Sequence, residues 1–152
     1  MAKVGEQAPE FSLHNAEGAK LSLRELRGKK VVVFFYPKDD TPGCTKEACG
    51  FRDAHAGLKK AGAVVLGISP DSVESHQRFR DKFTLDFPLL ADPDHQAIAA
   101  YGVWKEKSMY GKKFMGVERS TFLIDEQGVL RREWRKVKVD GHVDEVVASL
   151  AE

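Results

Sequence analysis

The stretch Val31-Val32-Val33-Phe34-Phe35-Tyr36 constrains this chain more than any other. It is β-branched and aromatic throughout, with no residue suited to face water, so it reads as a strand buried on both faces. Such a strand needs a layer packed above it and another below. In a short chain that means helices flanking a sheet with parallel neighbours. The following segments fit. Ala63–Ser69 reads as a second buried strand. Between the two lies a helix with Ala48, Phe51, Ala54 and Leu58 on its apolar side, stopped near Gly62.

The rest of the chain extends the pattern. Phe11–His14 and Ala19–Leu21 flank Asn15-Ala16-Glu17-Gly18 as a β-hairpin. Ser22-Leu23-Arg24-Glu25 has the capping-box pattern of a short helix that Gly28 ends, and Asp71-Ser72-Val73-Glu74 repeats it before a helix reaching about Phe83. Phe87–Ala91 reads as a short strand and Pro93–Tyr101 as a short helix ended by Gly102. Thr121–Asp125 and Val129–Trp134 form a hairpin around Glu126-Gln127-Gly128, and a last helix starts near His142 with Val143, Val146, Val147 and Leu150 apolar. The order ββ(α)βαβα(βα)ββα predicts an α/β chain. Its fold is expected to be thioredoxin-like, with an N-terminal β-hairpin and a mixed central sheet flanked by helices.

No Pro/Gly/Ser-rich linker, repeat or low-complexity tract divides the sequence, so residues 1–152 are expected to form one domain. Lys and Arg number 24 against 23 Asp and Glu, a net charge of +1, which argues against a nucleic-acid or anionic-membrane binder. Val31–Tyr36 is far shorter than the roughly 20 apolar residues that span a bilayer. The opening Met1–Glu6 carries no apolar run of the kind a signal peptide needs, and a cytoplasmic location is expected. In that compartment structural disulfides are rare, so the pair Cys44 and Cys49 points to catalysis or metal binding.

Both cysteines follow the first buried strand, in Tyr36-Pro37-Lys38-Asp39-Asp40-Thr41-Pro42-Gly43-Cys44-Thr45-Lys46-Glu47-Ala48-Cys49. The C-terminal ends of sheet strands are where α/β proteins bind ligands. Thr41 suits an N-cap and Pro42 the first helical position, which places Cys44 in the first turn. Unpaired N–H groups and the positive end of the helix dipole stabilise a thiolate there, the reactive form of cysteine. Gly43 would let a substrate approach the backbone, and the Thr41 hydroxyl is placed to donate to it. Five residues along a helix rise ~7.5 Å and turn ~140°, so the Cα atoms of Cys44 and Cys49 would lie about 8.6 Å apart. A disulfide tolerates at most ~7 Å. Either these cysteines never bond, or the first turns unwind.

Pro37-x-x-x-Thr41-x-x-Cys44 resembles the active-site signature of the peroxiredoxins. Thr41-Pro42-Gly43-Cys44-Thr45-x-Glu47 with Cys49 is similar to the peroxiredoxin Q subfamily, also called bacterioferritin comigratory protein. The likeness continues through Phe87-Pro88-Leu89-Leu90-Ala91-Asp92 and Arg119-Ser120-Thr121-Phe122-Leu123-Ile124-Asp125, and covers nearly the whole chain. The resemblance implies a thiol peroxidase acting on hydrogen peroxide and organic hydroperoxides in antioxidant defence and redox homeostasis. Cys44 would be the peroxidatic nucleophile. Cys49 would resolve its sulfenic acid to an intramolecular Cys44–Cys49 disulfide, reduced by thioredoxin. Pro37 would shield the pocket. Thr41, Arg119 and the N–H groups of Gly43 and Cys44 would hold the peroxide. No metal or organic cofactor and a monomeric state are implied as well.

Plainer readings stand beside these. Cys44 suits a buried small hydrophobe, Cys49 helix packing and Arg119 a surface strand. Glu47 suits a first-turn acid favoured by the dipole; near Cys44 it would oppose the thiolate unless a cation neutralised it. Arg131–Lys138 reads as a solvated strand rather than a nucleic-acid patch. His14, His55, His76, His95 and His142 show no ligand spacing, and Cys44/Cys49 has no partner pair for zinc. A dithiol–disulfide oxidoreductase or holdase would be expected to carry C-x-x-C, which is missing here, and a small metal-binding module lacks its ligands.

Overall fold

The structure, a computed structural model, describes residues 2–150. Its strands are β1 (Ser12–Asn15), β2 (Lys20–Ser22), β3 (Lys30–Phe35), β4 (Ala63–Ser69), β5 (Leu89–Ala91), β6 (Trp104–Met109), β7 (Lys112–Val117), β8 (Ser120–Ile124) and β9 (Leu130–Trp134). Its helices are α1 (Pro42–Lys60), α2 (Val73–Phe83), α3 (Gln96–Ala100) and α4 (His142–Ser149), with a 3-10 turn over Leu23–Leu26.

Seven strands form one sheet in the order β2-β1-β5-β4-β3-β8-β9. β3, β4 and β5 run parallel, and the four outer strands run antiparallel to their neighbours. This is the mixed thioredoxin-like sheet the sequence predicts. β3 lies inside it, with Val33 opposite Leu66 on β4 and Phe122 on β8. Its side chains alternate between two cores. Val31, Val33 and Phe35 pack with Phe11, Ile98 and Tyr101 on the α3 side. Val32, Phe34 and Tyr36 pack with Phe51, Phe79 and Val146 from α1, α2 and α4. All six are at most 1% exposed, and burying a side chain of this size contributes roughly 1.5–3 kcal/mol. On β4, Gly67 lets the Phe34 ring lie against the backbone: a Cβ there would sit 2.9 Å from Phe34 Cζ.

Several local expectations shift. The first hairpin pairs one residue later, Ser12 opposite Ser22. Ser22 makes no capping bond; its hydroxyl pairs with that of Ser12 at 2.7 Å, and only a 3-10 turn follows. The Arg24 N–H donates instead to Glu10 Oε1 at 3.1 Å. At α2 the cap is Ser72, which accepts from the Ser75 N–H, because the Asp71 carboxylate is engaged by the Asp39 N–H and the Ser69 hydroxyl. α3 begins at Gln96 rather than Pro93, where Asp92 accepts from the N–H groups of Gln96 and Ile98.

The sequence reading missed β6 and β7 altogether. They form a separate antiparallel ribbon turning at Tyr110-Gly111, both at positive φ. Most of its side chains stand in solvent, so no alternation of apolar and polar residues marks it. α1 runs unbroken past both cysteines. Gly50 lets α4 approach it closely: a Cβ there would be 2.9 Å from Val143 Cγ2.

Candidate active site

Residues 37–41 leave the end of β3 and turn into α1. Pro37 is half-buried, Lys38 and Asp40 are exposed, and Asp39 is buried. Thr41 has the extended backbone of an N-cap, but its side chain does not cap the helix. Its hydroxyl donates to the Lys38 carbonyl at 2.9 Å, while its own carbonyl accepts the first helical bond, from the Thr45 N–H at 2.8 Å. The expectation that Thr41 donates to a substrate is corrected accordingly. Its hydrogen is committed, and the oxygen lone pairs remain as acceptors. Pro42 has no N–H, so the first helical donors belong to Gly43 and Cys44, and no side chain caps this end. Such a terminus favours an anion.

Cys44 is 1% exposed. Arg119, from the junction between β7 and β8, donates through Nη2 to Cys44 Sγ at 3.2 Å. Its Nη1 donates to Glu47 Oε1 at 2.7 Å. The Arg119 carbonyl is fixed by the Val137 N–H at 2.9 Å. Gly43 makes room for this approach, since a Cβ there would meet Arg119 Nη2 at 3.2 Å. Arg119 is therefore no surface strand residue. It bridges the candidate nucleophile and a buried carboxylate.

Glu47 lies beyond the first turn of α1 and is fully buried, which corrects its reading as a first-turn acid held by the dipole. Burial pushes its carboxyl up to about 7, although the Arg119 charge and hydrogen bond pull it down. Its Oε2 meets no hydrogen-bond donor. Burial lowers the Arg119 guanidinium, but Glu47 and Cys44 outweigh it and hold the guanidinium above its ordinary value. The cation that a thiolate near Glu47 requires is Arg119.

Cys49 is free and half-buried, on the same helix as Cys44. The structure thus brings Gly43, Cys44 and Arg119 together, with Pro37 and Thr41 on the loop that leads into α1 and Cys49 about one and a half turns further along that helix. Lys107 on β6 was not foreseen. Burial and the Arg119 charge hold its ammonium below the ordinary lysine value, opposed by Cys44 and Glu118, so it shares the field of the thiol. No motif marks it; only the unforeseen ribbon carries it there. Nor did the spacing of histidines show that the fold brings ligand-capable atoms of His76, Asp39 and Asp71 within 4.8 Å of one another.

The sequence profile of the AhpC/TSA family matches residues 4–133. The chain is 60% identical over 148 residues to a Coxiella burnetii protein, covering 97% of this chain and 98% of that one. It is 49% identical over 148 residues to peroxiredoxin Bcp of Bacillus subtilis, covering 97% and 94%. A solved structure of the Xanthomonas campestris bacterioferritin comigratory protein, described for its alkyl peroxide reduction activity, superposes with a TM-score of 0.91. That match is 43% identical and covers 98% of each chain.

Proposed function

Because the chain belongs to the AhpC/TSA family, in its peroxiredoxin Q or Bcp branch, we propose that it is a thiol peroxidase with Cys44 as its nucleophile. The observation that carries this reading is the 3.2 Å hydrogen bond from Arg119 to a cysteine at an uncapped helix start. The Cys44 thiolate attacks one oxygen of the hydroperoxide. The O–O bond breaks, and its electron pair leaves with the other oxygen, which takes a proton to become water or an alcohol. Cys44 is left as a sulfenic acid. The charge that builds on the oxygens meets Arg119 and the Gly43 and Cys44 N–H groups, already in place and needing no reorganisation. Thr41 accepts from the peroxide hydrogen and Pro37 screens the sulfur from water. Glu47 orients Arg119 through its second nitrogen.

Cys49 then attacks the sulfenic sulfur. The S–S bond forms and water leaves. Because both cysteines lie on α1, this step requires the first turns to open. An external dithiol, for which thioredoxin is the proposed partner, returns the pair to thiols by exchange. The two electrons come from cysteine, so the cycle needs no metal or organic cofactor. The proposed substrates are hydrogen peroxide and organic hydroperoxides, and the proposed form is a cytoplasmic monomer.

Cys44→Ser tests the reading. A serine hydroxyl is far less ionised and less nucleophilic, so peroxide consumption is expected to vanish. Retention of more than a few per cent of wild-type turnover would remove Cys44 from the role.

A further inference from the structure

The loop over 37–41 carries Pro37 and Thr41, belongs to no helix or strand, and turns at Asp39–Asp40, where Asp40 adopts a left-handed φ of 59°. What holds it is a buried side-chain network centred on Asp39. The Tyr36 phenol donates to Asp39 Oδ1 at 2.6 Å. The Ser75 hydroxyl donates to Oδ2 at 2.8 Å, and His76 Nδ1 lies 2.7 Å from the same oxygen. The Asp39 N–H donates to Asp71 Oδ2 at 2.7 Å. His76 is fully buried, and its Nε2 donates to the Leu90 carbonyl on β5 at 3.0 Å.

The hydrogens in this network are fixed by chemistry. A backbone carbonyl only accepts, so Nε2 carries a hydrogen, and one further hydrogen lies between Nδ1 and Oδ2. Burial, with Asp39 beside it, pushes the Tyr36 phenol well above its ordinary value and keeps it a donor. α2 also grips the next residue, through Lys82 to Asp40 Oδ2 at 2.8 Å. A chain of short bonds therefore runs from the sheet at Leu90, through His76, to the loop that leads into Cys44.

We propose that the Asp39–His76 pair is a positioning device that holds the 37–41 loop, and with it Pro37 and Thr41, in the arrangement that receives peroxide. The proposal rests on the reading of Cys44 as nucleophile. Neither residue touches substrate. Both act through Thr41 and Pro37, at a distance where a shift of about 1 Å costs up to roughly a hundredfold in rate. The hydrogen bonds of the pair go to the loop, to α2 and to the sheet, and none of these reaches the first turns of α1.

The test separates the two chemical steps in reduced protein mixed rapidly with hydrogen peroxide. His76→Gln carries both of its N–H donors on a single nitrogen, so it cannot serve Asp39 and Leu90 from opposite sides as the ring does. Asp39→Asn keeps shape and loses the charge. Each is expected to lower the second-order constant for peroxide about tenfold or more, with disulfide formation slowed no more than about twofold. Ser75→Ala, which removes a single donor, is expected to lower the peroxide constant about two- to fivefold. A peroxide constant within twofold of wild type in folded variants, whatever their melting temperature, overturns the proposal. An equal fall in both steps overturns it too. If the first two variants do not fold, Ser75→Ala decides by the same criterion. Cys44→Ser is run beside them. Turnover retained there refutes the reading of Cys44 itself, whereas loss there with normal His76→Gln kinetics refutes only the positioning role.

Discussion

Arg119 holds Cys44 at 3.2 Å with one nitrogen and the buried carboxylate of Glu47 at 2.7 Å with the other. A carboxylate beside a nucleophilic thiol is unfavourable, because like charges oppose the thiolate. The shared guanidinium removes the conflict and fixes its own direction at the same time, since a planar fork held at one tine is oriented at the other.

Arg119→Ala is expected to slow the reaction of reduced protein with peroxide about a hundredfold, the usual effect of deleting one charge-stabilising donor. Arg119→Lys restores the charge without the fork and is expected to recover only part of the rate. Rapid-mixing kinetics with hydrogen peroxide measure both. A rate unchanged in Arg119→Ala would remove the guanidinium from the reaction.

Glu47 predicts a specific pH dependence of stability. Its carboxyl titrates near 7 in the folded protein and near its ordinary 4.5 when unfolded. Between these values the folded state binds more protons than the unfolded state, so stability falls as pH rises. The contribution is fully present below about 4.5, is lost as pH climbs through about 7, and is on the order of 3 kcal/mol. Urea unfolding of wild type and Glu47→Gln across pH 4.5–8 isolates it. Wild type is expected to lose stability relative to the variant over that range. Parallel curves would mean that burial does not raise the Glu47 carboxyl.

Much of this was legible in the sequence because it rests on local pattern. The run Val31–Tyr36 reads as a doubly buried strand and Thr41-Pro42 suits the opening of a helix, so the place of Cys44 followed. The loop motif also carried the family. What escaped depends on contacts distant in sequence. Glu47 looked like a dipole partner because nothing local shows that Arg119, 72 residues away, buries it. Thr41 looked like a donor because its bond to the Lys38 carbonyl arises only when the loop folds. The β6–β7 ribbon has exposed side chains on both faces and leaves no periodic signal, so Lys107 went unseen. Asp39 and His76 are 37 residues apart and join only when α2 packs beside the loop.

Oxidation is expected to open the start of α1. Cα atoms about 8.6 Å apart in an intact helix exceed the ~7 Å that a disulfide allows. Helix ends are among the less costly elements to open. Amide exchange over residues 41–52 is expected to accelerate in the oxidised protein, with a small loss of far-UV helical signal. Unchanged protection in protein proven to hold the Cys44–Cys49 bond would contradict this geometry.

The central claim is that one peroxide molecule converts Cys44 and Cys49 into a disulfide through a sulfenic acid on Cys44. Intact-mass and peptide mass spectrometry of the reduced protein, before and after one equivalent of hydrogen peroxide, tests it most directly. The predicted result is a loss of two hydrogens, with the peptides of Cys44 and Cys49 joined. In Cys49→Ser the predicted result is one added oxygen on Cys44 instead. An unchanged mass in the wild type, or an oxygen retained on Cys44 with Cys49 still a free thiol, would contradict the account.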